Sequence, residues 1–239
     1  MFDSKAPNFS TIFFNACAHI QHHYIFNSKA ICSSVEQKNP EWYIGKDEDP
    51  LAEVLELYDL IVGEIINRKD TEVIVATGLS QIPYDRIKFY YRLKNHSNFL
   101  TILGVKFESV LPRMTRDFLI EFKDVSCAAN AELILNKLKI NNSEELLFGE
   151  IDNRGSSLFV TLTYGYEINE STYINVNNHK VLLFPQVSFV AIKNGMHTGD
   201  GFAYFSSGVS SYVPVGEFHV SQLGSTILRY FESPAESNI

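Results

Sequence analysis

Phe9-Ser-Thr-Ile-Phe-Phe-Asn-Ala16 is a run of aromatic and β-branched residues that reads as a short buried strand. The next stretches of chain decide the kind of sheet such a strand would join. Asp49-Pro50 reads as a helix start, with Asp49 as N-cap and Pro50 in the first helical position. Leu51, Val54, Leu55, Tyr58, Ile61, Val62, Ile65 and Ile66 then recur at spacings of three and four, which predicts a helix with one face on the core. Glu72–Thr77, EVIVAT, is a second apolar run, ending at Gly78. Helix, short turn and apolar strand make half of a parallel βαβ unit. The expectation is therefore an α/β fold: a mostly parallel sheet flanked by helices, with an inserted α+β subdomain.

The insertion is read from a change of texture. Strands are expected at Ile87–Leu93, Glu108–Leu111, Phe118–Phe122, Leu146–Ile151 and Ser157–Tyr164, and helices at Ser97–Leu103 and, after Asp124, at Ala128–Leu138. Asn169–Lys180 is polar and turn-rich and reads as a loop. Beyond it the first texture returns. Strands are expected at Val187–Ile192 and Gly201–Ser206, a helix at Val220–Phe231, and a frayed tail from Glu232 to Ile239. Residues 1–85 and 181–239 would form the core domain, and 86–180 an inserted cap. No internal repeat is present.

Composition bounds the function. The 239 residues are 45% hydrophobic with a net charge of -8, which suits a globular domain and disfavours a nucleic-acid backbone as partner. No apolar run reaches the ~18 residues of a membrane span, and the N-terminus lacks the basic and apolar regions of a signal peptide. Cys17, Cys32 and Cys127 form no CxxC pair, so reduced thiols in a cytoplasmic protein are expected rather than a disulfide framework or zinc ribbon.

Three places carry residues fit for chemistry. Asn15-Ala-Cys-Ala-His19 is followed by His22 and His23, and His19 and His23 lie one helical turn apart, so both could face one metal ion. Met196-His197-Thr-Gly-Asp-Gly201 sets a histidine before a glycine-punctuated turn. Val75-Ala-Thr-Gly-Leu-Ser80 closes the second apolar run with hydroxyls but neither carboxylate nor imidazole. GxSxG, GxxxxGK[ST], HExxH and GxGxxG patterns are all absent, and no residue stands out as a catalytic nucleophile.

In this order the three places resemble the alkaline-phosphatase superfamily, especially its nucleotide pyrophosphatase/phosphodiesterase-like branch. FFNACAHIQHHY and HTGDGFAYFSSG carry most of the likeness. In that family two divalent metals flank a phosphoryl group and activate a Thr or Ser nucleophile. The resemblance implies one metal shell here, made of His19 and His197 with Asn15 or His23 assisting, and holding Zn²⁺ or another divalent ion at a single site. Asn15 stands where the family has Asp, and an uncharged amide holds Zn²⁺ less strongly. Gly78 and Leu79 stand where the family has an Asp-His pair, so the second shell is missing, and no counterpart of the family's N-terminal nucleophile is found. The resemblance leaves two functions open. One is a phosphoester or phosphodiester hydrolase whose nucleophile half lies on a second chain, acting on a phosphorylated small molecule or glycan precursor. The other is a non-catalytic binding or assembly module.

Overall fold

Asp49 caps its helix as the sequence suggests: its carboxylate accepts from the Ala52 amide at 3.0 Å and from the Lys29 amide at 2.8 Å. Burial alone would raise its carboxyl, but these bonds to the ionised form together outweigh burial and hold it below the usual carboxylate range. The computed structural model describes residues 7–31, 37–141 and 143–232. Its helices are α1 (Ala16–Tyr24), α2 (Pro50–Ile66), α3 (His96–Ile102), α4 (Val125–Leu135), α5 (Ser207–Ser210) and α6 (Gln222–Glu232). Its strands are β1 (Ile74–Ala76), β2 (Ser80–Leu93), β3 (Ser109–Pro112), β4 (Asp117–Glu121), β5 (Glu150–Asn153), β6 (Ser157–Thr161), β7 (Tyr173–Val176), β8 (His179–Leu182), β9 (Val187–Thr198) and β10 (Ala203–Phe205). The chain divides into two compact units: Met1–Arg86 with Asn194–Ile239, and Ile87–Lys193. Strands β2 and β9 pair and carry the chain from one unit into the other.

The expected parallel sheet is not there. Among the described residues the sheets hold two to four strands each, and the registers of β1/β10, β3/β4/β6/β5 and β7/β8 are all antiparallel. The fold is mixed α/β built on small antiparallel sheets, without a large parallel one. Two stretches account for the difference. Phe9–Asn15 forms no strand; it is irregular and exposed, with Phe13 87% accessible, and α1 begins at Ala16. Ile74–Ala76 is a strand, but its partner is Ala203–Phe205 running the opposite way. An apolar run has the same sequence signature in a central parallel strand, a short antiparallel pair or an uncovered segment, because partners and direction are set elsewhere in the chain.

The first unit is organised by α1 and α2. On α2, Leu51, Val54, Tyr58, Ile61, Val62 and Ile65 are the buried or half-buried face, while Leu57 and Leu60 point to solvent between Glu53, Glu56 and Glu64. Tyr58 Oη accepts from the Cys17 amide at 3.1 Å, tying α1 to α2. Glu72 anchors the other end of this unit. Its carboxylate accepts from the Gly208 amide at 2.9 Å and from the Ser206 hydroxyl, while Ser206 Oγ accepts from the Val73 amide at 2.8 Å.

The second unit holds the large apolar cluster. Phe118 and Ile120 of β4 and Leu158 and Val160 of β6 alternate onto one face of the four-stranded sheet, where Phe99, Leu100, Ala128, Ala131, Leu135 and Phe148 cover them. Asp124 caps α4 by accepting from the Cys127 amide at 2.8 Å. Asn169–Lys180, read as a loop, contains strand β7 and opens β8. Asn177 and Asn178 both take positive φ (50° and 64°), the two-residue turn that lets a right-twisted hairpin close. The frayed-tail reading concerns residues mostly outside those described, and so does Cys32; Cys17 and Cys127 are free thiols. No helix is long and apolar enough to cross a membrane among the described residues.

One histidine of this unit gives its stability a pH dependence. His96 opens α3, is buried, and meets the Phe118 ring edge-on at 4.9 Å. Burial first, and the charge of Arg92 second, push its imidazole below the usual value of 6.5. The unfolded chain therefore binds a proton that the folded one refuses. Stability should fall as pH drops through about 6.5, at a slope of at most ~1.4 kcal/mol per pH unit for this one proton. Denaturant titrations above and below that pH should show a smaller acid loss in His96→Gln than in the parent chain; an equal loss in both would remove His96 as the cause.

Candidate functional site

Helix α1, ACAHIQHHY, contains neither Gly nor Pro, and its histidines fall at positions i, i+3 and i+4, so His19, His22 and His23 share one face. His19 and His23 meet with ring centroids 4.9 Å apart. His23 is buried, and its Nδ1 lies 3.1 Å from the Tyr43 hydroxyl. Asn15 stands exposed at the N-cap; its carbonyl accepts from the His19 amide at 3.1 Å, while its side chain makes no capping bond.

The imidazole that meets His197 is His22. Their Nε2 atoms lie 3.2 Å apart, with the rings nearly perpendicular at 89° and centroids 4.7 Å apart. His22 Nδ1 is 2.9 Å from the Gly195 carbonyl oxygen. A carbonyl only accepts, so this contact assigns the proton to Nδ1 and leaves the Nε2 lone pair of neutral His22 aimed at His197. The contact depends on a close backbone approach. A Cβ on Gly195 would lie 2.9 Å from the Gln21 carbonyl oxygen and 2.8 Å from Gln81 Oε1, so α1 reaches β9 only because residue 195 is glycine. Gln81 braces the same junction: its Nε2 donates to the Ala18 carbonyl at 2.9 Å, and its buried Oε1 has no protein partner.

A buried amide pair fixes the next turn of chain. Asn39 and Asn194 exchange two hydrogen bonds of 2.9 Å each, and Asn39 Nδ2 also donates to the His23 carbonyl at 2.9 Å. Residue 194 thus locks the segment after Gln37 onto α1 one residue before Gly195 receives His22. Burial pushes the thiol of Cys17, also on α1, up from its ordinary value.

The 3.2 Å separation is a hydrogen-bond distance, and with the His22 proton on Nδ1 it is His197 Nε2–H that donates to His22 Nε2; it is also close to the spacing of two nitrogens on one metal ion. Two nitrogens each ~2.05 Å from one Zn²⁺ at the tetrahedral angle stand about 3.3 Å apart. No group of three or more His, Cys, Asp or Glu is disposed to hold a metal among the described residues, so two nitrogens are what this cluster offers. His22 falls on the same helical face as His19 at a spacing of three, which was the available signal for it; Gly195 and Gln81 gave none, because their roles depend on how α1 meets β9. Comparison with protein-family models, with curated proteins and with solved structures finds no match to this chain.

Proposed function

We propose that the chain is a non-catalytic binding or assembly module whose imidazoles His22 and His197 take one divalent ion, Zn²⁺ being the natural choice. The observation that carries this reading is the approach of the two Nε2 atoms to 3.2 Å with the His22 lone pair already turned inward by Gly195. Asn15, His19 and His23, read from the sequence as ligands beside His197, belong to the same helix or its cap, and His23 Nδ1 is already engaged by Tyr43. Preference for the non-catalytic reading rests on the surroundings of the pair. Gly78 and Leu79 offer no ligand for a second metal, and among the described residues there is no large parallel sheet of the kind on whose strand ends the two-metal hydrolases of the resembled superfamily build their sites. An ion held by two protein nitrogens keeps open positions, and a phosphate oxygen of a small ester or glycan precursor is chemistry that would fill them. Hydrolysing that ester would further require a nucleophile from a second chain. Free Cys17 and Cys127 support a cytoplasmic setting.

Elemental analysis and calorimetric Zn²⁺ titration test the reading. The parent chain should take up about one equivalent, weakened at least ~10-fold in His22→Ala and in His197→Ala and much less in His19→Ala. No uptake by the parent, or uptake indifferent to both His22 and His197, would sink it. Phosphodiesterase turnover by the isolated chain, lost in His197→Ala, would replace it with the hydrolase.

A further inference from the structure

Asn194-Gly195 is the only Asn-Gly pair in the chain, and it lies inside strand β9. A glycine after asparagine leaves the peptide nitrogen unshielded by a side chain, so that nitrogen can attack the asparagine amide. In this reaction Gly195 N bonds to Asn194 Cγ, the Cγ–Nδ2 bond breaks, and ammonia leaves. Water then opens the resulting succinimide at either carbonyl, giving aspartate or isoaspartate, with no oxidant or reductant involved. The folded chain opposes every part of that path. Asn194 has no accessible surface and Gly195 is buried. Asn39 Nδ2 donates to Asn194 Oδ1, and Asn194 Nδ2 donates to Asn39 Oδ1, both at 2.9 Å. Asn39 is itself held, since its Nδ2 also donates to the His23 carbonyl at 2.9 Å. Asn39 precedes Pro40, whose nitrogen carries no proton, so of the two paired amides Asn194 alone can cyclise.

We infer that Asn194-Gly195 is a latent deamidation site, held closed by the Asn39 amide pair and converted only when that contact opens. Attack requires Asn194 Cγ to turn onto the Gly195 nitrogen. Two bonds to Asn39 fix the plane of the Asn194 amide, and the extended backbone of β9 keeps the nitrogen away from it. Conversion therefore follows the population of the open state, set by local unfolding. It also runs one way. A carboxylate at 194 only accepts, so it faces Asn39 Oδ1 with no proton between them and carries a charge into a site without accessible surface. Isoaspartate adds a methylene to the main chain next to Gly195, where even a Cβ has no room. Once converted, the segment cannot close as before, and the opening becomes permanent.

Peptide mapping by mass spectrometry tests this on the full chain, kept for days at mildly alkaline pH and body temperature; the readout is mass alone and is independent of metal binding. The native parent should convert Asn194 at least about tenfold more slowly than the same chain in concentrated urea. Asn39→Ala, shown to be folded by circular dichroism, should convert about tenfold or more faster than the native parent, because the Asn194 amide is left buried without its partner. Asn194→Gln should show no mass gain at that position over the same period. The inference is overturned if the native parent converts as fast as the chain in urea, if folded Asn39→Ala is no faster than the parent, or if Asn194 stays intact in urea. Should Asn39→Ala fail to fold, the parent in sub-denaturing urea takes its place. There conversion should climb in step with exchange of the Asn194 backbone amide, and conversion that stays flat while exchange rises overturns the inference.

Discussion

Replacing Phe118 by alanine should cost about 3–5 kcal/mol, the range for emptying a fully buried aromatic site. Phe118 has no accessible surface, lies on the inward face of β4, and meets Phe148 at 5.8 Å and the His96 ring at 4.9 Å. Truncation strips both ring contacts and leaves a void among Phe99, Phe148 and the α4 alanines that a four-stranded sheet pinned by three registers cannot close. Domain stabilities are typically about 5–15 kcal/mol, so this single loss takes a large fraction of the total. Denaturant midpoints and amide exchange over residues 87–193 measure it. Leu111→Ala is the control. Leu111 pairs with Leu119 in the same sheet but is 42% accessible, and its loss should stay near ~1 kcal/mol or below. A Phe118→Ala cost no larger than the Leu111→Ala cost would mean that the apolar cluster is not where this unit's stability resides.

The contrast between those residues also marks what a sequence discloses. Inward Phe118 and Ile120 are legible because alternation has a period of two whatever the strand pairs with. The Asp49 cap is legible because its core is local: a carboxylate, a proline and the Ala52 amide within one turn. The Asn177-Asn178 turn was equally local, and the signal was present in two adjacent residues that tolerate positive φ, though the polar stretch around it read as loop. Strand direction is a different matter. Nothing within Ile74–Ala76 states whether its neighbour runs parallel, as the helix–turn–strand pattern suggests, or antiparallel, as Ala203–Phe205 does. The candidate site divides in the same way. The helical spacing of His19, His22 and His23 could be read off, whereas the choice of His22 as the neighbour of His197 depends on the angle at which α1 meets β9.

That meeting point is where one methyl group should do the most damage to binding. Gly195→Ala puts a Cβ 2.9 Å from the Gln21 carbonyl oxygen and 2.8 Å from Gln81 Oε1. The Gln81 side chain can swing away, but the Gln21 carbonyl belongs to the backbone of α1, so the helix must shift by several tenths of an ångström or more. His22 lies one residue beyond Gln21, and its Nδ1 bond ends on the oxygen of residue 195 itself. The displacement therefore breaks the contact that sets the His22 tautomer and opens the 3.2 Å gap to His197. Overpacking of this kind costs typically about 1–3 kcal/mol. The expected result is a stability loss in that range together with a Zn²⁺ affinity reduced by about as much as in His22→Ala, although no imidazole has been touched. Gly199→Ala supplies the comparison. A Cβ there meets nothing within 4 Å, and φ at this position is not in the left-handed region, so both properties should stay near those of the parent, within ~0.5 kcal/mol in stability. If Gly195→Ala is as harmless as Gly199→Ala, then α1 does not lie against β9 as closely as the His22–Gly195 bond requires, and the pairing of His22 with His197 loses its support. If it lowers stability but leaves Zn²⁺ uptake intact, the ion is held elsewhere than on these two nitrogens.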